Sequence, residues 1–396
     1  MRKRKLNVKR LITVLSGLTI IILVAIMVTN SNRFNIAKES PSPTASTVTP
    51  VSTPPSLPEP SDTPTETVSP IPEETKAPDN SHVIRTDYEN FSPNEVGEIP
   101  VVMFHTFIEA YEENTEIEYT TTFSEFEVLL QTLYDNGYRL ISMADFIDCN
   151  ISVPAGTMPI VFTFDDGTPG QFNLIQEGGS LRVNPKSAAG IMVAFNEKHP
   201  DFGLKGIFYV NMDVGDNTFK GEGTLKERFE ILQSLGFELG THTWGHIKYS
   251  NPENNSAQKI QESLGKNQEK VNEILPGMRF YSLALPYGSQ PQDKSLCKYF
   301  ESGSYNGIEY KNESIMAVGA NPSVPSISNN YNNLYVPRIR AQGRVAVDCD
   351  LTWWISRMTS SRMFISDGDP LTIVVPEEKS DTINTEKLID KALITY

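Results

Sequence analysis

The chain of 396 residues carries 34 basic and 49 acidic side chains, which gives a formal net charge of −15 at pH 7. Six of the basic side chains lie in the first ten residues, so the remainder is still more acidic and is a poor candidate for general nucleic-acid binding. Hydrophobic residues make up 39% of the chain, which excludes a wholly disordered protein. Three cysteines without a CxxC pair exclude a disulfide scaffold.

The first 92 residues divide into three segments. Residues 1–10 form a basic tail that we expect in the cytoplasm, and residues 11–29 are uncharged and apolar over the length of a transmembrane helix. Residues 30–92 are rich in Pro, Ser and Thr, which predicts a disordered, extended linker. We therefore expect a single-pass protein of the cell membrane whose domain, residues 93–396, lies outside the cell. A cleaved signal peptide is the alternative for the apolar segment.

Beyond the linker, short apolar runs recur without two-residue alternation, as is typical of strands buried on both faces of a parallel sheet. Capping boxes at 124–127 and 224–227 predict the starts of two amphipathic helices between these runs. Residues 168–201 resemble an insertion with a helix over 188–198. The alternation predicts one α/β domain, either open or barrel-shaped. The predicted strands are 99–104, 160–164, 206–210, 237–239, 282–285 and 371–375.

Two carboxylates and two imidazoles follow predicted strands. Asp165 and Asp166 stand at the exit of a buried strand, where adjacent carboxylates are costly without a cation or proton between them. His242 and His246 follow another strand and can meet one cation if their segment turns helically. An ordinary Asp-Asp-Gly turn and two unrelated surface histidines are the alternatives. Thr243 stands where HExxH zinc proteases need glutamate, which disfavours that class.

Two further motifs follow strands, namely His105 after the first and Leu-Pro-Tyr-Gly at 285–288 after the fifth. The carboxyl ends of parallel strands share one edge, and sites form there. We therefore expect these residues to lie near the aspartate and histidine pairs.

The segments Thr-Phe-Asp-Asp-Gly at 163–167 and His-Thr-Trp-Gly-His at 242–246 resemble the first two motifs of the polysaccharide deacetylases (carbohydrate esterase family 4, NodB homology domain). The resemblance implies a deformed (β/α) barrel of the NodB type. It implies a divalent metal ion, zinc or else cobalt, manganese, nickel or iron, held by Asp166, His242 and His246. It also implies that Asp165 is the general base and that the backbone N–H of Tyr287 binds the oxyanion.

The sequence departs from the family pattern at two places. Ala284 stands where the third motif has an arginine that orients the base, and Arg338 is a candidate to replace it from another strand. No histidine follows His246, so the usual acid near the C-terminus is missing. Met103-Phe104-His105 resembles the circularly permuted branch that acts on poly-N-acetylglucosamine and carries this acid on the first strand. His105 is therefore the expected general acid, with a structural histidine as the alternative.

The expected activity is metal-dependent hydrolysis of N-acetyl groups on a cell-surface or extracellular polysaccharide that contains N-acetylglucosamine. Two alternatives remain open at the level of sequence. One is a carbohydrate-binding surface protein with weak or no turnover, because the arginine is missing and the acid stands elsewhere. The other is an O-acetyl esterase on a glycan, because an ester leaves more readily than an amide. The sequence indicates neither the glycan nor the oligomeric state.

Overall fold

The computed structural model describes residues 87–341 and 347–396. The predicted tail, the predicted transmembrane anchor and the linker up to residue 86 lie outside the described residues. Among the helices that are described, none is long and apolar enough to cross a membrane.

The described chain alternates strands and helices as the sequence predicts. Within residues 87–341 and 347–396 there are sixteen strands, at β1 Val101–Phe104, β2 Thr106–Ile108, β3 Thr120–Thr122, β4 Tyr138–Leu140, β5 Met158–Phe164, β6 Leu174–Glu177, β7 Ser180–Val183, β8 Ile207–Val210, β9 Glu238–Thr241, β10 Ser282–Ala284, β11 Ser302–Tyr305, β12 Ile308–Lys311, β13 Ser314–Met316, β14 Ile339–Arg340, β15 Thr372–Val375 and β16 Ala392–Thr395. The α-helices of the described residues are α1 Phe123–Asp135, α2 Met143–Asp148, α3 Ala188–Lys198, α4 Leu225–Ser234, α5 Ala257–Ile274, α6 Lys298–Glu301 and α7 Leu351–Ile355.

Eight of the strands form one parallel sheet in the order β13, β10, β9, β8, β5, β1, β14, with β4 beside the first half of β5. Val336 bridges to Met316 of β13, while Ile339 pairs with Val102 of β1. The segment 336–340 therefore links the two edges of the sheet. This architecture confirms the predicted α/β class with a parallel sheet of the NodB type.

Residues of the central strands alternate between two apolar clusters. Phe104, Phe164 and Phe208 pack with the helices in the outer cluster, where the rings of Phe164 and Phe208 stack with centroids 4.4 Å apart. Their strand neighbours, such as Val161 and Ile207, lie in a second cluster built from the inner faces of several strands. Both faces of each strand are apolar, so the sequence shows no two-residue alternation.

Two details of the prediction are wrong. The strand predicted at 371–375 forms, but β15 pairs with β16 in a separate two-stranded sheet, because β14 already lies against β1. Helix α1 is capped by Thr122 rather than Ser124: Thr122 has extended backbone, and its Oγ1 accepts from the N–H of Glu125 at 3.2 Å. Ser124 lies within the helix. The second capping box, at Thr224 and Glu227, is confirmed, as is the helix at 188–198.

Candidate active site

The turn after β5 places Asp166 at the mouth of the sheet. Asp166 and Gly167 both have left-handed backbone, with φ of 80° and 63°, and a Cβ at Gly167 would lie 3.1 Å from Cγ2 of Thr218. Glycine fits this tight, left-handed position without the steric penalty of a side chain. The turn brings Oδ1 of Asp166 within 3.4 Å of Nε2 of His242 and, equally, 3.4 Å of Nε2 of His246.

The two histidines converge through a left-handed loop and not through a helical turn. Thr243, Gly245 and His246 have φ of 68°, 84° and 45°. The ring centroids of His242 and His246 lie 5.0 Å apart. We expected a helical turn to bring the imidazoles together, but this described loop contains none. The two imidazoles still meet.

The donor set fits one divalent ion. The ligand atoms of Asp166, His242 and His246 all lie within 4.8 Å of one another. Tetrahedral ligands about 2.1 Å from zinc are separated by about 3.4 Å, which agrees with both of the carboxylate–imidazole distances. Nδ1 of His242 lies 2.8 Å from the carbonyl oxygen of Ala284, and Nδ1 of His246 lies 3.1 Å from the hydroxyl of Tyr287. These partners hold both rings with Nε2 towards the aspartate, as ligand histidines require.

Arg338 binds Asp165 with both arms of its guanidinium. Nη1 and Nη2 donate to Oδ1 and Oδ2, each at 2.7 Å, and both side chains are fully or almost fully buried. Arg338 also donates to the hydroxyl of Thr163 at 3.0 Å and to the carbonyl of Ala317 at 2.8 Å. Burial opposes ionisation of Asp165, but the positive charge of Arg338 outweighs it and holds the pKa of this carboxyl well below its usual range. The structure thus brings Arg338 to Asp165 from another strand end, and its role as a replacement for the arginine missing at Ala284 stays a prediction.

His105 lies next to this ion pair. Its Nε2 is 3.8 Å from Oδ2 of Asp165, and its ring packs on Tyr119 with centroids 4.9 Å apart. Its Nδ1 is buried and has no hydrogen-bond partner among the described residues. Burial lowers the pKa of His105, against the opposing influence of Asp165.

Tyr287 lies at the rim of the same site. Its backbone is left-handed, with φ of 58°, and its side chain is 62% exposed while its hydroxyl contacts His246. The six residues given catalytic, oxyanion or metal-binding roles in the sequence, together with Arg338, are therefore brought together at one end of the sheet. Their placement agrees with the predicted roles, while the roles themselves remain predictions.

Sequence reasoning missed the buried amide side chains that hold the site's loops. Asn211 donates to the carbonyls of His242 and Thr243, at 2.5 and 3.0 Å. Asn267 on α5 accepts from the N–H of Met212 at 2.8 Å and donates to the carbonyl of Val210 at 3.0 Å. Gln171 donates to the carbonyls of His105 and Asp165. Such bonds end on backbone atoms and leave no residue-type pattern in a single sequence.

Residues 153–305 match the family model described as polysaccharide deacetylase. A search of curated proteins found no match. Three of the similar solved structures are a polysaccharide deacetylase from Bacillus cereus, a Streptococcus pyogenes deacetylase in complex with acetate, and IcaB from Ammonifex degensii.

Their sequence identities to this chain are 19%, 15% and 16%, with TM-scores of 0.47, 0.47 and 0.43. The alignments cover 65%, 66% and 62% of this chain and 68%, 98% and 92% of the respective structures. The circular permutation suggested by His105 is not established by these matches and stays a prediction.

The segment matched by the family model contains Asp165, Asp166, His242 and His246, which the structure gathers at one site. Residues 153–305 are therefore similar to the polysaccharide deacetylases, and the chain is a hydrolase that acts on carbon–nitrogen bonds.

Proposed function

We propose that this protein removes N-acetyl groups from a polysaccharide that contains N-acetylglucosamine, with a divalent metal ion held by Asp166, His242 and His246. The observation that carries the proposal is the pair of 3.4 Å separations between Asp166 and the two imidazoles, beside a buried carboxylate held by arginine. Zinc suits this donor set, and cobalt, manganese, nickel or iron are the other candidates.

A divalent ion bound there supplies a Lewis acid, which polarises the acetyl carbonyl and lowers the pKa of a water molecule. The protein supplies the proton transfers. Asp165 accepts a proton from the attacking water, and Arg338 keeps this carboxylate ionised and in one orientation through two hydrogen bonds. The backbone N–H of Tyr287 donates to the developing oxyanion, by resemblance to the family.

His105 donates a proton to the leaving amine. An amide requires this step because an amide anion is a very poor leaving group. The 3.8 Å distance between Nε2 of His105 and Oδ2 of Asp165 supports this assignment of donor and acceptor. The products are acetate and a glycan with a free amine.

We also propose that the substrate is reached from outside the cell. This proposal rests on the sequence of residues 1–92 alone, where a basic tail, an apolar segment and a Pro-rich linker follow one another. Protease treatment of intact cells tests it: the domain should be degraded without lysis, and full protection would contradict an external location.

Acetate release from N-acetylglucosamine oligomers tests the function. We expect activity that a chelator abolishes and zinc restores. Asp165→Asn should keep zinc and lose turnover, whereas His242→Ala should lose both. Wild-type turnover by Asp165→Asn would contradict the base assignment. If the protein binds the oligomers without releasing acetate, the alternative of a carbohydrate-binding protein would be supported.

One observation favours a second candidate, an O-acetyl esterase. The buried Nδ1 of His105 lacks a partner among the described residues, and burial lowers the pKa of this histidine, so its imidazolium form is not stabilised. An ester needs the acid less than an amide does. Loss of activity in His105→Ala on amide and ester substrates distinguishes the two: a de-N-acetylase loses the amide reaction by a much larger factor.

A further inference from the structure

Gln171 joins the acid and the base through their backbones. Gln171 follows the turn after β5 and is fully buried. Its Nε2 donates to the carbonyl of His105 at 2.5 Å and to the carbonyl of Asp165. His105 leaves β1 and Asp165 leaves β5, two neighbouring strands whose register ends with Phe104 beside Phe164. The last backbone bond between them runs from the N–H of Asp165 to the carbonyl of Phe104, at 2.9 Å. Gln171 therefore continues the link between the strands where their backbone pairing stops.

The segment that carries Gln171 is fixed on both sides. A Cβ at Gly170 would lie 2.2 Å from the carbonyl oxygen of Phe107, so this segment packs backbone against backbone on the chain after His105. On the other side, the first N–H groups of α3 donate to it: Ala188 to the carbonyl of Gly170 and Ala189 to the carbonyl of Gln171, both at 2.9 Å. The hydroxyl of Thr168 adds a bond to the carbonyl of His105 at 3.3 Å.

These contacts give the insertion 168–201 a physical role. The first N–H groups of α3 donate to the loop that carries Gln171, and the side chain of Gln171 donates to the backbone at the ends of β1 and β5. Oε1 of Gln171 is buried and has no hydrogen-bond partner among the described residues. Burying an amide oxygen without a partner costs free energy, so the side chain is placed for its donor end and not for a fully satisfied network.

We propose that Gln171 is a positioning residue that sets the separation between the His105 imidazole and the Asp165 carboxylate. The proposal rests on the proposed function, in which these two groups move the protons. A displacement of about 1 Å between reacting groups lowers a rate by about 10²-fold. The hydrogen bonds of Gln171 end on the backbones of His105 and Asp165 and on no side chain of the proposed metal ligands, although the carbonyl of Asp165 belongs to the peptide group shared with Asp166. We therefore expect Gln171 to affect the reaction rate more than the zinc affinity.

Gln171→Met tests the proposal, because methionine has a similar shape and no N–H donor. Gln268→Met is the matched control: Gln268 is also buried, donates to the carbonyl of Met278 at 2.8 Å and accepts from the N–H of Phe280 at 3.0 Å, and it lies in α5. The measurements are kcat and KM for acetate release, zinc affinity by competition with a chromophoric chelator, the melting temperature, and a crystal structure of each variant.

For Gln171→Met we expect kcat to fall by about 10- to 100-fold with KM unchanged and with a smaller change in zinc affinity than in kcat. In the crystal structure of this variant, the distance between Nε2 of His105 and Oδ2 of Asp165 should differ from the 3.8 Å of the wild-type structure. Gln268→Met should lower the melting temperature and leave kcat within about twofold of wild type. A kcat for Gln171→Met within the same limit, in an active enzyme, would overturn the proposal.

Gln171→Asn provides a second variant in case the methionine variant does not fold, because its shorter amide cannot reach both carbonyls. Failure of both variants to fold, while Gln268→Met folds, would show that Gln171 serves stability and would overturn the proposal. A wild-type protein without activity on any acetylated glycan refutes the proposed function instead. The crystallographic distance in the variants then decides the role of Gln171 on its own.

Discussion

Removing both partners of the buried pair between Arg338 and Asp165 should cost less stability than the sum of the losses from removing each partner alone. In a bidentate pair the charge centres lie about 4 Å apart, which gives an interaction of about 4 kcal/mol at an effective dielectric constant of about 20. Breaking a buried pair from one side costs about 3–5 kcal/mol, because the remaining charge is left without compensation. Arg338→Met should therefore lower the free energy of unfolding by that amount, and Asp165→Asn should also be strongly destabilising. The double variant leaves no lone charge. Its loss of unfolding free energy should therefore be smaller than the sum of the two single losses by at least about 2 kcal/mol.

Urea denaturation followed by tryptophan fluorescence measures these energies, and acetate release measures the catalytic effect. Arg338→Met should lower kcat by about 100-fold, because Asp165 is no longer held in one orientation. Arg338→Lys keeps the charge without the fork and should fall between wild type and Arg338→Met. The control is Arg362→Met, since Arg362 pairs with Glu98 at 2.8 Å while 41% exposed and should contribute less than about 1 kcal/mol. Losses that simply add in the double variant would refute the reasoning.

Three further predictions concern single contacts. Tyr287→Phe removes the hydroxyl that contacts Nδ1 of His246 and should weaken zinc binding by about tenfold in a chelator competition; an unchanged affinity would show that this bond does not orient the ligand. Arg228→Met removes a fully buried cation that donates to three backbone carbonyls between residues 216 and 219, and thermal and urea unfolding should show a loss of about 2–4 kcal/mol, whereas a loss below about 1 kcal/mol would contradict its role. Burial, followed by the charge of Asp367, raises the pKa of Glu95 well above 4.5, so ionisation of this group favours the unfolded chain and its contribution to stability falls as pH rises above that value. Glu95→Gln should therefore gain stability relative to wild type as the pH rises above about 4.5, and a difference between the two proteins that stays constant with pH would contradict the assignment.

The strand ends of the site could be predicted because their signal is local. A short apolar run followed by Asp165 and Asp166, and another followed by His242, place polar ligands at the carboxyl ends of strands without knowledge of the partners. In a parallel sheet those ends meet at one edge, so the convergence follows from the strand direction alone. The backbone conformation between His242 and His246 could not be predicted in this way. Left-handed backbone at Thr243 brings the rings together, and nothing in a threonine predicts it.

Strand partners and buried hydrogen bonds could not be predicted, because they depend on distant parts of the chain. The apolar run at 371–375 has the composition of a strand of the main sheet, yet the place beside β1 is taken by β14, of only two residues. The amide of Gln171 bonds to backbone carbonyls, which every residue has, so its partners are invisible in the sequence. The capping error at Ser124 has the same origin, since Thr122 and Ser124 are both good caps and only the backbone conformation distinguishes them.

The position of Arg338 connects closure of the sheet with the chemistry of the site. The segment matched by the family model, 153–305, contains the proposed base and the three proposed ligands, but His105 and Arg338 lie on either side of it in the sequence. In the fold they lie at the ends of adjacent strands: His105 directly follows β1, Arg338 directly precedes β14, and both side chains approach Asp165. An interaction between charges depends on where the guanidinium lies and not on which strand carries it, so an arginine before β14 can replace one missing at Ala284. A substitution that disrupts the pairing of segment 336–340 should therefore break the connection between the two sheet edges. The same substitution should remove the hydrogen bonds of Arg338 to Asp165.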